Sequence, residues 1–165
     1  LVKYLDTMIK EGKVRPSTNT VGSPIVFVPK PDGRGLRLCI DYRHLNNYTK
    51  KDKTPLPIME ELSSRVQGAT HITTIDLKSG FHSIRMALGH KRFTAFHMKF
   101  GLYEYLVLPF GLCNAPATFQ REINRILRPL LGFEFVIKTE VHIDGDEGMV
   151  VVAYIDDILI ATKVS

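Results

Sequence analysis

The sequence predicts an α+β fold in which helices pack on one face of an antiparallel sheet. Three observations carry this expectation. Apolar residues recur at helical spacing near the start of the chain and again over 114–131. Short β-branched runs come in pairs joined by turn residues, which reads as hairpins rather than as parallel crossover units. Helical and strand segments interleave along 165 residues with 44% hydrophobic content, enough for one core or two small subdomains.

The elements follow in order. Val2, Leu5, Met8 and Ile9 share one helical face within 1–14, and Gly12 closes the pattern. Residues 16–22 form a polar loop, and 25–28 read as a strand. Pro31-Asp32-Gly33-Arg34-Gly35 supplies glycine where a turn needs positive φ, and 36–42 is the return strand. This hairpin carries Lys30 on one arm and Arg37 on the other. Residues 49–57 read as an exposed linker, 58–66 as a short amphipathic helix ended by Gly68, and 71–76 as a buried strand. Residues 93–100 and 105–108 read as a second strand pair. Asn114 is the expected N-cap of a helix with Pro116 in its first turn and a stripe of Phe119, Ile123, Ile126, Leu127 and Leu130. Asp144-Gly145-Asp146-Glu147-Gly148 reads as an acidic turn within 132–148, and strands at 150–155 and 158–161 meet at Asp156-Asp157.

Charge is unevenly spread. Residues 1–100 hold 17 Lys and Arg against 8 Asp and Glu, a net of +9, whereas 101–165 hold 5 against 9, a net of −4. A basic part followed by an acidic part points to a polyanionic partner and a separate cation or proton site, although a chance division of surface charge explains the same numbers. Cys39 and Cys113 stand alone and suit small buried hydrophobes in a reducing compartment. The six histidines make no zinc-type spacing, and no apolar run approaches the ~20 residues of a membrane span, so the chain reads as soluble. It begins at Leu1 without a methionine and ends just after an apolar run, which reads as part of a longer polypeptide.

The most informative motif is Tyr154-Ile155-Asp156-Asp157. In a regular strand one of the two carboxylates would enter the core unpaired, at high cost. A tight turn would expose both at its tip, where their repulsion calls for a cation, and hard divalent ions suit carboxylates. Asp76 ends the apolar strand Ile72-Thr73-Thr74-Ile75 and is a third candidate ligand. Three such carboxylates could hold two metals roughly 3.5–4 Å apart for phosphoryl-transfer chemistry. The plain alternative is a solvated hairpin turn at Asp156-Asp157 and a turn residue at Asp76. The acidic run at 144–147 lacks the spacing of a calcium loop.

Five blocks, in order over residues 23–160, resemble the reverse transcriptase domain of gypsy-type LTR retrotransposon polyproteins. They are Ser23-Pro24-Ile25-Val26 through Lys30-Pro31-Asp32-Gly33; Arg37-Leu38-Cys39-Ile40-Asp41-Tyr42-Arg43-His44-Leu45-Asn46; Thr74-Ile75-Asp76-Leu77-Lys78-Ser79-Gly80-Phe81-His82-Ser83-Ile84; Leu108-Pro109-Phe110-Gly111-Leu112-Cys113-Asn114-Ala115-Pro116 through Phe119-Gln120; and Tyr154-Ile155-Asp156-Asp157-Ile158-Leu159-Ile160. The resemblance implies a right-hand polymerase fold, with fingers at about 1–70 and 90–108 and palm at 71–89 and 109–165. It implies catalytic Asp76, Asp156 and Asp157 binding two Mg²⁺, which Mn²⁺ could replace, with the Leu77 carbonyl as an added ligand. Lys30 and Arg37 match positions that clasp the incoming triphosphate, and Phe81 matches the aromatic that excludes a 2′-hydroxyl. Phe110 and Gly111 match the nucleotide pocket, and Asn114 and Tyr154 match the template and primer side.

The implied activity is RNA-directed DNA polymerisation on an RNA or DNA template with a primer, using deoxynucleoside triphosphates. The implied setting is intracellular, in cytoplasmic virus-like particles, with no membrane partner. The thumb, ribonuclease H and integrase regions of the polyprotein are expected to lie outside this chain, and 132–148 reads as an insertion in an edge loop. Two other readings stand beside this one. The chain could be a catalytically inactive truncated or relic fragment that only binds nucleic acid. It could also be another palm polymerase that makes RNA, a reading that Phe81 discriminates.

Overall fold

Every strand ladder is antiparallel in the computed structural model, which describes residues 2–30, 33, 35–54, 64, 66–131, 140–141 and 149–162, with backbone alone at 129–131, 140–141 and 149–150. The expected helix at 58–66, apart from residues 64 and 66, and most of the 132–148 insertion, its acidic turn included, lie outside the described residues. The chain divides into two compact units. The first is Leu1–Lys51 with Phe81–Ala115, and the second is Asp52–Gly80 with Pro116–Ser165.

In the first unit, α1 (Val2–Lys10) buries Leu5 and Met8 and leaves Val2 and Ile9 at the surface. Gly12 at φ +64° ends it, with the Lys13 N–H returning to the Met8 carbonyl at 2.9 Å. Strands β1 (Val14–Pro16), β6 (Gly101–Tyr105) and β5 (Phe96–Met98) form a sheet in the order β1-β6-β5. Strands β2 (Ile25–Pro29) and β3 (Leu36–Ile40) form the predicted hairpin, and α2 (Arg43–Tyr48) follows. Leu5, Met8, Val14, Ile40, Tyr42, Phe96, Tyr105 and Val107 make one core cluster. Full burial of a Leu or Phe side chain contributes roughly 1.5–3 kcal/mol.

The second strand pair is shorter and earlier than 93–100 with 105–108. Residues 88–94 instead form a 3₁₀ segment, whose last turn is closed by the Thr94 hydroxyl donating to the Lys91 carbonyl at 2.7 Å. Gly101 at φ +132° then brings the chain back directly after Met98. The deep polar groups are satisfied here: the Tyr42 hydroxyl donates to the Thr94 carbonyl at 2.9 Å, and Thr94 Oγ1 accepts the Tyr105 N–H at 2.8 Å. Burial pushes the phenols of Tyr42 and Tyr105 well above the usual range. Cys39 and Cys113 are free and only half-buried, so neither is the fully buried hydrophobe expected.

The second unit holds a sheet in the order β4-β9-β8-β7, from β4 (His71–Asp76), β7 (Glu140–Val141), β8 (Met149–Tyr154) and β9 (Asp157–Thr162). It also takes α3 (Ala115–Leu131) from Pro116 onward. β4 is exposed along its whole length, against the expectation of a buried strand. It is an edge strand, and β-branched residues suit any pleated, half-covered surface rather than a buried one alone. On α3, Phe119 and Ile123 are buried as expected, but Ile126 is 59% exposed. Polar Gln120, at 2% exposure, shares the buried face instead.

One buried charge in the first unit is fully partnered. Glu104, 4% exposed, lies opposite Arg15 in the β1–β6 ladder and accepts from Arg15 Nε at 2.8 Å and from the Ser17 hydroxyl at 2.7 Å. Arg15→Ala would leave that carboxylate under-satisfied and is expected to cost about 2 kcal/mol in urea denaturation. Adding Glu104→Gln should recover part of the loss.

Candidate active site

The hairpin between β8 and β9 pairs Tyr154 with Asp157 and leaves Ile155 and Asp156 as a two-residue turn. Such a turn needs positive φ, and Ile155 takes it at +51°. A β-branched residue there costs roughly 1–2 kcal/mol, so something must hold it. Gln120 does: its Oε1 accepts the Ile155 N–H at 2.8 Å, and its Nε2 donates to the Ala153 carbonyl at 2.9 Å and to Asn124 Oδ1 at 3.0 Å.

The β4–β9 register sets Asp76 opposite Asp157. The Leu77 N–H donates to the Asp156 carbonyl at 2.9 Å, which makes the Asp76–Asp157 pair the close, non-hydrogen-bonded kind with Cβ atoms ~4.5–5.5 Å apart. Beyond β4 the chain turns through Ser79, at φ +56°, and the Gly80 N–H donates to the Leu77 carbonyl at 3.1 Å. A Cβ on Gly80 would stand 2.8 Å from Phe119 Cζ and 2.9 Å from Asp156 Oδ1, so glycine is required by close approach. Two non-glycine residues in the left-handed region thus flank the acids, the kind of strain that collects at functional sites.

The tip does not expose both carboxylates, as a simple turn would. Asp157 is exposed at the start of β9, but Asp156 is half-buried, and its Oδ1 is buried without a hydrogen-bond partner. Burial first, then the charges of Asp76 and Asp157, push the Asp156 carboxyl above its ordinary value of 3.8. None of the ion pairs among the described residues includes these three acids. Their side chains do not close into a cage either: among the described residues no three acidic, histidine or cysteine groups converge as metal ligands. One Asp156 oxygen is instead turned in toward Gly80 and Phe119. The donor set still fits hard divalent ions, since it offers carboxylate oxygens, one of them an orphan, with no ion-pair partner among the described residues. The Leu77 carbonyl already accepts from Gly80 and has one lone pair left to offer.

All the remaining candidates but Tyr154 lie in the first unit. Lys30 and Arg37 are exposed on the β2–β3 hairpin, where Arg37 pairs with Val28 and the Lys30 N–H donates to the Gly35 carbonyl at 3.1 Å. Phe81 is 7% exposed and packs its ring 4.9 Å from that of Phe110, which is 54% exposed. His82 fits between Tyr105 and Phe110, with ring centroids 6.0 and 5.5 Å away, and burial followed by the nearby charge of Lys13 lowers its pKa. Gly111 takes φ +98°. The Asn46 side chain clamps this bend, donating to the Gly111 carbonyl and accepting the Cys113 N–H, both at 2.8 Å. Asn114 directly precedes α3 and donates to the Lys50 carbonyl at 2.9 Å. Tyr154 is the half-buried partner of Asp157 across the turn of the second unit.

Sequence reasoning assigned no role to Gln120, Gly80 or Asn46. Gln120 carried a usable signal, as a lone amide between Phe119 and Ile123 on the apolar stripe of α3. The raised Asp156 pKa has a measurable consequence. The folded chain holds this proton more tightly than the unfolded chain, so stability falls relative to a neutral side chain as pH rises above 3.8 through the raised value. Asp156→Asn is therefore expected to unfold at a higher temperature than the parent at pH 7, with the gap closing as pH falls toward 3.8. A gap of constant size would assign the effect to packing.

Comparison with known proteins agrees with this geometry. The family model described as reverse transcriptase (RNA-dependent DNA polymerase) matches residues 28–164. The chain is 49% identical over 128 residues to the retrovirus-related Pol polyprotein from transposon 297 of Drosophila melanogaster, covering 75% of this chain and 12% of that one. It is 41% identical over 155 residues to the transposon Tf2-3 polyprotein of Schizosaccharomyces pombe, covering 94% of this chain and 10% of that one. It thus spans about a tenth of the length of these curated relatives. The native prototype foamy virus protease-reverse transcriptase superposes with a TM-score of 0.75 at 26% identity, over 97% of this chain and 19% of that one. A foamy viral protease-reverse transcriptase in complex with double-stranded DNA gives 0.77 at 25% identity, over 97% and 25%. With most of its residues inside the family model and its acids on an antiparallel hairpin, the chain belongs to the reverse transcriptase (RNA-dependent DNA polymerase) family.

Proposed function

We propose that this chain is the fingers and palm portion of an RNA-directed DNA polymerase of an LTR retrotransposon. The observation that carries the reading is the pairing of Asp76 with Asp157, beside an Asp156 whose inner oxygen has no partner. The reaction is nucleotidyl transfer: a primer 3′-hydroxyl attacks the α-phosphate of a deoxynucleoside triphosphate and pyrophosphate leaves. Asp76, Asp156, Asp157 and the Leu77 carbonyl would hold two divalent ions, Mg²⁺ in the first instance. Bound there, such ions lower the pKa of the attacking hydroxyl and neutralise charge on the leaving group.

The chain's own residues take the other roles. Exposed Arg37 offers a planar fork, and exposed Lys30 a point charge, to triphosphate oxygens. Phe81, stiffened by its packing on Phe110, serves as a wall against a 2′-hydroxyl. Gly111, fixed by Asn46, sets the backbone next to Phe110 for the nucleotide, and Asn114 and Tyr154 serve the template and primer side. Fingers are assigned to about 1–70 and 90–108 and palm to 71–89 and 109–165. The compact units cross elsewhere, after Lys51, Gly80 and Ala115, so 52–70 fall in the unit of the palm strands and 81–89 and 109–115 in the unit of the fingers strands. The foamy viral complex with double-stranded DNA supports a nucleic-acid duplex as partner. Contacts to phosphates make that binding weaken with salt.

Two measurements test this in the full-length polypeptide that carries the chain. Asp76→Asn is expected to cut metal-dependent primer extension by on the order of 100-fold or more while template binding persists. Undiminished extension would remove Asp76 from the metal site. Phe81→Val is expected to raise ribonucleotide incorporation relative to deoxynucleotide by about tenfold or more, the scale of a lost steric contact. An unchanged ratio would reject the wall assigned to Phe81.

A further inference from the structure

Gln120 is 2% exposed, and a primary amide buried to that degree must place its donors and acceptor on protein partners. Two of its three hydrogen bonds end on the backbone of the β8–β9 hairpin. Ala153, the last strand residue but one, receives the Nε2 donor, and Ile155, the first turn residue, gives its N–H to Oε1. These two fix the orientation of the amide, because the Ile155 N–H can only donate and the Ala153 carbonyl can only accept. The third bond runs from Nε2 to Asn124 Oδ1, one turn along α3.

Ile155 needs that grip. At φ +51° a β-branched residue resists its own backbone, and glycine would be the unforced choice. Gln120 presents its acceptor where the left-handed form directs the Ile155 N–H. The next residue is Asp156, whose carbonyl accepts the Leu77 N–H from the residue after Asp76. A continuous path of hydrogen bonds and one strained residue therefore runs from α3 to the acid cluster. Every bond on it lies within the second compact unit.

We propose that Gln120 is a positioning residue for the acids. Its amide selects the left-handed form of Ile155, this sets the direction of the Asp156 carboxylate, and the direction governs how readily the cluster takes divalent ions. The proposal rests on the reading of Asp76, Asp156 and Asp157 as the metal site. It assigns Gln120 no contact with substrate and no proton to move. It also explains why a glutamine occupies the apolar stripe of α3: a Met or Leu of similar volume would fill the space and leave the Ile155 N–H without an acceptor.

The test is a double-mutant cycle of Gln120→Met and Ile155→Gly in the full-length polypeptide. It has two readouts: hydrogen exchange of the residue-155 amide, and the Mg²⁺ concentration for half-maximal primer extension. Gln120→Met alone is expected to speed exchange at that amide at least tenfold. It should also raise the Mg²⁺ requirement severalfold, with the deoxynucleotide KM at saturating Mg²⁺ little changed. In the Ile155→Gly background the backbone no longer resists the left-handed form, so adding Gln120→Met should leave the Mg²⁺ requirement within about twofold of the parent. An unchanged Mg²⁺ requirement in Gln120→Met overturns the proposal. So does a double variant that remains impaired or fails to fold, since either result makes Gln120 a packing residue. The reading beneath it fails separately, if the parent shows no metal-dependent extension or Asp76→Asn does not reduce it. The exchange readout still reports the Gln120–Ile155 link in that case.

Discussion

Like charge placed opposite like charge is the constraint around which the second compact unit is arranged. Asp76 and Asp157 face each other in the closer of the two antiparallel pair types, and Asp156 stands just before Asp157 in the adjoining turn. A sheet gains nothing from such a pair, because like charges directly opposite destabilise it. The register must be held by other means, since a slip of one residue would send Asp76 to the other face. The ladder from His71↔Thr162 to Asp76↔Asp157 supplies this hold, and the Leu77–Asp156 hydrogen bond locks its end. Gly80 leaves the room that the Asp156 carboxyl and the Phe119 ring occupy.

The two units treat buried polar groups differently. In the first, Glu104 is matched by Arg15 and Ser17, Tyr42 and Tyr105 are joined to Thr94, and Asn46 satisfies both sides of the bend at Gly111. These contacts convert polar atoms into fixed geometry. Among the described residues, the one buried side-chain oxygen or nitrogen left without a partner is Asp156 Oδ1 in the second unit. An orphan of this kind, next to two other carboxylates and strained backbone at Ser79 and Ile155, is a local conflict that folding alone does not reward. A bound cation would resolve the electrostatic part of that conflict, which is why the unsatisfied atom and the proposed chemistry fall on the same residue.

The acid-bearing hairpin was legible as two apolar strands, although its turn falls on Ile155-Asp156, one residue before the expected Asp156-Asp157, and positive φ falls on a β-branched residue. The hairpin bearing Lys30 and Arg37, the end of α1 at Gly12 and the long helix after Asn114 were legible from residue type and spacing. Each depends on local backbone preference: glycine or a turn dipeptide where φ must be positive, and apolar residues at a period of 3.6 or 2. The ordered motif blocks carried the family in the same way. Other features needed the fold. β4 has the composition of a core strand yet lies at a sheet edge, and no property of Ile72 or Ile75 says how many neighbours the sheet will give them. The strand at 105–108 ended earlier because Gly101 tightened the turn and the 3₁₀ segment took residues 93 and 94.

What the sequence determined by itself was the set of acids, the hairpin that carries two of them, and the family. What only the tertiary structure decided was which carboxylate is turned inward, that Gln120 rather than solvent receives the Ile155 N–H, and that Gly80 has no room for a Cβ. The reason is one of range. Periodicity and turn chemistry act over a few residues. The partner of a buried amide 35 residues away, and the space left beside a carboxylate, are set by which distant elements the chain brings against each other.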